Sequence, residues 1–175
     1  EVSLWVLVPL AAVALVADWS RHRIGWAREA LHKVFAPLMR PEEIPPFGGP
    51  IVFNGATMMC TAAALCVTFF SAPVAALALA IQMTGDAAAA LVGRPLGKTR
   101  WPGSPKSVEG TAAFVLVAVA TGWVFAQAFR AEVGLAPIVA GALVAALVEV
   151  LPIPVNDNLR VPLAAGLAMA AVGLL

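Results

Sequence analysis

Gly85–Gly110 reads GDAAAALVGRPLGKTRWPGSPKSVEG. The stretch sets the cations Arg94, Lys98, Arg100 and Lys106 and the acids Asp86 and Glu109 between two long apolar runs. What flanks it decides the class of fold. Of the 175 residues, 61% are hydrophobic and 12% are charged, with a mean hydropathy of +0.91. A soluble domain carries about 25% charged residues. The apolar runs are long enough to span a bilayer, which takes roughly 20 residues per helix. The expected fold is therefore an all-α polytopic membrane protein forming one compact bundle over residues 1–175.

Six spans are expected: Val2–Ala17, Ile51–Phe70, Ala72–Val92, Ser107–Phe129, Val133–Leu151 and Val161–Leu175. The first has the length of a signal peptide, but no basic segment precedes it and further spans follow, so it is read as a membrane helix. Glu1 is not a natural start, so the chain is expected to be trimmed or a fragment. The segments Asp18–Pro50, Gly93–Lys106 and Pro152–Arg160 hold ten of the eleven Lys and Arg residues, and the intervening segments hold only Arg130. With six spans the three basic segments share one side, which the positive-inside rule makes cytosolic. Asp18–Arg40 interleaves Trp19, Trp26, Val34 and Phe35 with Arg21, Arg23, Arg28 and Lys33, the pattern of a helix lying in the headgroup layer. His22 and His32 are read as interfacial residues of this helix. Cys60 and Cys66 stand about 240° apart around one helix and cannot pair. Small residues in every span suit close helix packing and would permit a homodimer.

Polar residues inside or beside the spans are the candidates for chemistry. Asp86 lies in the third span, where a carboxylate needs a partner or a water-filled site, and Gly85 beside it lets another backbone or a ligand come near. Gly93, Gly97 and Gly103, with Arg94, Lys98, Arg100 and Lys106, combine flexible backbone with positive charge, as a polyphosphate cradle does. The pattern is not a Walker motif. Ser107 is expected to cap the fourth span, with Glu109 and Gly110 in its first turn and free N–H groups offered to an anion. Trp101 could stack on a base. Glu149 ends the fifth span. Asn156, Asp157 and Asn158 present oxygen ligands in a row, a chemistry suited to Mg²⁺. No spacing typical of a zinc site or a nucleophilic triad occurs, and no nucleic-acid partner is expected.

Three stretches carry a resemblance: GDAAAALVGRPLGK (Gly85–Lys98), RWPGSPKSVEGT (Arg100–Thr111) and LPIPVNDNLRVPLAAGL (Leu151–Leu167). Together they resemble the motifs of the dolichol kinase and phytol kinase family, which also holds CTP-dependent diacylglycerol kinases. RPEE (Arg40–Glu43) followed by NGAT (Asn54–Thr57) is similar to a further pattern of that family, although the intervening run is richer in Pro and Gly. The resemblance implies a multi-pass enzyme that uses CTP and a divalent cation to phosphorylate a lipid alcohol at the cytosolic face. Its nucleotide site would draw on Gly85, Gly93, Arg94, Gly97, Lys98, Trp101, Gly103, Ser107, Glu109, Gly110, Asn156 and Asn158. Asp86, Asp157 and Lys106 would be catalytic, with both aspartates as Mg²⁺ ligands or as the base. Arg40 and Glu149 would support them.

Two other classes compete. A CTP:phosphatidate cytidylyltransferase would share nucleotide and setting, but PVNDNLRVP lacks the Gly-rich ending in Asp-Arg expected there. A small transporter or scaffold would use Asp86 and Glu149 for an ion path, but no inverted repeat is evident.

Overall fold

The computed structural model describes residues 2–173, and among these the regular structure is helical. Seven α-helices follow in order: α1 Val2–Arg23, α2 Gly25–Phe35, α3 Gly55–Phe69, α4 Ala72–Leu96, α5 Val108–Ala128, α6 Leu135–Val150 and α7 Asp157–Gly173. Leu174 and Leu175, the end of the last expected span, lie outside the described residues. Three helices are long and apolar enough to cross a membrane: α1 from Leu4, α4 and α5. Helices α3 and α6 are apolar but shorter, and α7 opens with Asp157, Arg160 and Pro162. The chain divides into two compact units, residues 1–65 and 66–175, with the boundary inside α3.

In the first unit, α1 does not stop at Ala17 but continues to Arg23. The reason is a set of partners far away in sequence. Asp18 and Arg21, one turn apart, pair with each other while 2% and 1% exposed. Arg21 Nη1 donates to the Glu43 carbonyl at 2.7 Å and Nη2 to the Val52 carbonyl at 2.7 Å. Asp18 Oδ2 accepts the Asn54 N–H at 2.7 Å. Buried charges persist when paired and hydrogen-bonded in this way. His22 is fully buried rather than interfacial, and its Nε2 donates to the Val52 carbonyl at 2.9 Å.

The single interfacial helix expected over Asp18–Arg40 is therefore divided. Ile24 is extended and separates α1 from α2. Two short 3-10 turns follow at Ala36–Leu38 and Pro41–Glu43. Trp26, Val34 and Phe35 stay exposed, as a headgroup-facing element requires.

Residues 51–54, expected in the second span, are not helical. Their backbone is bound instead by Asp18, Arg21 and His22. Asn54 then starts α3, its Oδ1 accepting the Thr57 N–H at 2.9 Å.

In the second unit, helices α4 to α7 bury a core of small and branched side chains. Ala75, Leu77, Ala78 and Ile81 of α4 are 0% exposed, as are Ala118, Ile138, Ala142, Ala145, Val161 and Ala165 on the other three helices. Glycines let the backbones approach, as in lipid-embedded bundles. A Cβ on Gly141 would stand 2.6 Å from Met169, and one on Gly85 would stand 2.7 Å from the Phe114 ring. A ring cannot yield as a flexible side-chain end can. Gly85→Ala is expected to cost about 1–3 kcal/mol by overpacking, read by thermal unfolding in detergent. Gly25→Ala, with nothing within 4 Å, serves as the control without loss.

At its far end α5 closes with a Schellman pattern. The Ala131 N–H donates to the Ala126 carbonyl at 2.9 Å, and Arg130 takes the left-handed position at φ 49°.

Candidate functional site

The end of α4 and the start of α5 meet at Ser107. This residue is 4% exposed and caps α5, its Oγ accepting the Gly110 N–H at 3.1 Å. Two glycines expected to form a phosphate cradle, Gly93 and Gly97, pack around it together with Gly110 of the first turn of α5. A Cβ on Gly93 would lie 2.9 Å from Ser107 Oγ, one on Gly97 2.3 Å from the Gly93 carbonyl oxygen, and one on Gly110 3.0 Å from the Ala89 carbonyl oxygen. Gly93 sits inside α4, which runs to Leu96 rather than ending at Val92. Gly85 likewise makes room for Phe114 and not for a ligand. Of the loop glycines, only Gly103 has a positive φ, at 71°. The N–H groups opening α5 are not free either. Val108 donates to the Thr99 carbonyl at 2.9 Å and Thr111 to the Ser107 carbonyl at 2.9 Å.

The loop between these helices is tied into a small hairpin. Arg100 and Ser107 form an antiparallel bridge, and the Trp101 N–H donates to the Lys106 carbonyl at 3.1 Å. Trp101 Nε1 donates to Thr111 Oγ1 at 2.9 Å, so the indole is anchored through its polar edge while 37% exposed. Arg100 Nη1 donates to the Pro105 carbonyl at 2.5 Å. The Glu109 carboxylate accepts the Thr99 N–H at 3.1 and 3.3 Å. Glu109 thus fastens the loop. Arg94 and Lys98 remain exposed, in no ion pair among the described residues. Glu109→Ala is expected to speed limited tryptic cleavage at Lys98 and Arg100 several-fold, since loop opening governs proteolysis. An unchanged cleavage rate would remove Glu109 from this role.

Beside the hairpin, Lys106 joins the ends of two other helices. Its Nζ donates to Glu149 Oε1 of α6 and lies 3.4 Å from Asp157 Oδ2 of α7. Arg160 holds the other oxygen of Asp157, with Nε 2.9 Å from Oδ1, and its Nη1 donates to the Val148 carbonyl at 2.7 Å. Burial works against the charged ammonium, but the hydrogen bond and charge of Glu149, with Asp157 and Asp86 adding to it, hold the Lys106 pKa above its ordinary value. An ammonium has three donors. Two point at carboxylates here, and one remains for a ligand.

Asp157–Arg160 form the first turn of α7 and not a loop. Asn156 precedes that turn, its Oδ1 accepting the Asn158 N–H at 3.0 Å and its carbonyl accepting the Arg160 N–H at 3.1 Å. Of the oxygen-bearing run, Asn156 is thus engaged in capping.

Asp86 is half-buried on α4, close enough for its charge to act on Lys106. Among the described residues its carboxylate accepts no hydrogen bond, whereas both oxygens of Asp157 are occupied. Arg40 and Glu43 belong to the unit of residues 1–65. There the buried Glu43 carboxylate accepts the N–H groups of Arg40 at 3.0 Å and Gly55 at 2.8 Å, while Arg40 is exposed.

No protein-family model matches this chain, and neither a curated protein nor a solved structure does. The chemistry of the residues themselves carries the reading of the site.

Among the described residues, no group of three or more His, Cys, Asp or Glu side chains converges as a metal cage. Magnesium rarely needs one: it is bound by one or two carboxylates together with waters and substrate phosphates. Asp86 fits that use. Asp157 fits less well, because Lys106 and Arg160 already hold its oxygens.

One residue escaped the sequence reading. Gln82 is 0% exposed, and neither its Oε1 nor its Nε2 has a hydrogen-bond partner. It lies one turn before Asp86 on the same face of α4. The signal was a lone amide inside an apolar helix, four residues from the acid.

Proposed function

We propose that the chain is a CTP-dependent kinase that phosphorylates the hydroxyl of a membrane lipid alcohol (a polyprenol, a phytol-like prenol or a diacylglycerol). The observation that carries this reading is the unengaged Asp86 carboxylate, within electrostatic reach of a Lys106 ammonium with a donor to spare. The exposed cations Arg94 and Lys98 on or beside the ordered hairpin add to it.

Phosphoryl transfer needs positioning and charge neutralisation more than covalent help. Asp86 accepts the proton of the alcohol. The alcohol oxygen then bonds to the γ-phosphorus as the bond to the β-bridging oxygen breaks, and CDP departs. The proton passes from Asp86 to solvent. Lys106, oriented by Glu149 and Asp157, meets the developing phosphate charge, and Lys98 and Arg94 hold the outer phosphates. A magnesium ion bound with the nucleotide would be held by Asp86 and would neutralise charge on the phosphates.

In this reading the chain crosses the bilayer six times, α3, α6 and α7 spanning with local thinning. Residues 93–106 and 152–160 face the cytosol, where CTP is found.

The test uses purified protein in detergent with Mg²⁺, γ-labelled CTP or ATP, and a panel of polyprenol, dolichol, phytol, geranylgeraniol and diacylglycerol. Label passing from CTP to one alcohol is expected. Pyrophosphate release on adding phosphatidate, with no labelled lipid, would make the chain a cytidylyltransferase. Silence in both assays would remove the enzyme reading.

A further inference from the structure

Gln82, Asp86, Ala90 and Arg94 are spaced four apart and form one ridge along α4. Each step advances about 6 Å along the helix axis. Exposure rises along the ridge. Gln82 is 0% exposed, Asp86 and Ala90 are half-buried, and Arg94 is exposed. The ridge therefore leads from the packed interior of the second unit to the hairpin end of α4.

Gln82 is the member that packing does not explain. Among the described residues, it alone has both polar side-chain atoms buried without a hydrogen-bond partner. Neighbouring polar side chains are satisfied by their own helices. Thr84 Oγ1 donates to the Ala80 carbonyl at 2.7 Å, and Thr111 Oγ1 to the Ser107 carbonyl at 3.0 Å. A buried amide is costly unless it is bonded, and an unbonded one calls for an explanation. Gln and Asp four residues apart on a helix can pair directly. Here they do not, and the Asp86 carboxylate accepts no hydrogen bond among the described residues. A donor and an acceptor one turn apart, unbonded to each other, suit a third group that both donates and accepts. A hydroxyl is the simplest such group.

We propose that Gln82 recognises the hydroxyl of the lipid alcohol, its Nε2–H donating to the oxygen whose proton goes to Asp86. The ligand class rests on the kinase reading above. The order of residues along the ridge matches the order of groups in the reaction. The hydroxyl lies between Gln82 and Asp86, the small Ala90 leaves the next turn low for the transferred phosphate, and Arg94 stands beyond it. As negative charge develops on the alcohol oxygen, a fixed N–H aimed at it binds more strongly. Gln82 also sets specificity, because a site built to hydrogen-bond a hydroxyl rejects the analogue that lacks it.

The experiment measures thermal unfolding of the full chain in detergent without nucleotide. The probes are phytol, geranylgeraniol and dioleoylglycerol, each against an analogue with hydrogen in place of the hydroxyl. In the parent, at least one alcohol should raise the midpoint by about 5 °C near saturation, and its analogue should not. Gln82→Met and Gln82→Leu should abolish that difference. Without ligand, both variants should melt about 2–4 °C higher than the parent, since each removes an unbonded buried amide. A parent blind to the hydroxyl in all three pairs overturns the site. So does a hydroxyl-dependent rise that survives in the variants, or ligand-free variants that melt lower. Because this arm contains no nucleotide, a hydroxyl-dependent rise lost in the variants supports the site even if no label passes from CTP. With label passing, Gln82→Met should raise the KM for the alcohol about 10-fold, the worth of one hydrogen bond, and leave the KM for CTP unchanged. An active enzyme whose Gln82→Met variant keeps the parent's alcohol KM overturns the role of Gln82 and leaves the kinase reading standing.

Discussion

Asp86→Asn is expected to lower lipid phosphorylation by about 10²–10⁴-fold, the usual contribution of a positioned general base, while the protein extracts and unfolds like the parent. The two halves of this expectation have separate causes. Asn keeps the shape and removes the proton acceptor. Because the Asp86 carboxylate accepts no hydrogen bond among the described residues, its loss leaves no donor stranded. Asp157 behaves differently, since it joins Lys106 to Arg160. Asp157→Asn should therefore lose both stability and activity. A fully active Asp86→Asn protein would sink the catalytic assignment.

Lys106→Met should be the most damaging change to stability in the site. It strands the Glu149 carboxylate, whose side chain is only 5% exposed. Breaking a buried pair from one side costs about 3–5 kcal/mol. Lys106 itself is 34% exposed, so water softens the loss toward about 2 kcal/mol. Adding Glu149→Gln to Lys106→Met should recover much of it, because the stranded charge is gone. Denaturant unfolding of the two single variants and the double in detergent would measure this coupling.

The pH dependence has a definite sign. The folded pKa of Lys106 is raised, so its contribution is complete below the ordinary lysine value of about 10.4 and is lost as pH rises through the folded value. Parent and Lys106→Met should converge in stability only in strongly alkaline solution. A constant difference through that range would refute the assignment.

Asp86 was legible in the sequence because a carboxylate inside an apolar run is costly and persists there only with a partner or a task. The helices themselves were legible from composition, since long apolar runs leave the backbone few ways to satisfy its polar groups. The end of α1 was not. Asp18, Arg21 and His22 looked like the start of a surface segment, and their partners lie at residues 43, 52 and 54, reached only through the fold. The glycines misled for a related reason. A glycine that exposes its N–H to a phosphate and one that lets two helices touch are the same letter. The four-residue spacing of Gly93 and Gly97 was the available clue, since it is the spacing of helix contact. Asn156 invited reading as a metal ligand, but an asparagine before a helix also caps it, and here it does.

The hairpin of residues 97–107 carries a thermodynamic consequence. Chain that must freeze around a ligand gives up conformational entropy at the moment of binding, and the apparent affinity falls by that amount. Here Ser107, Glu109 and Thr111 have already frozen it, during folding. A nucleotide docking on this loop would meet a surface whose ordering is complete, so its association should show little of the unfavourable entropy that accompanies a disordered phosphate loop.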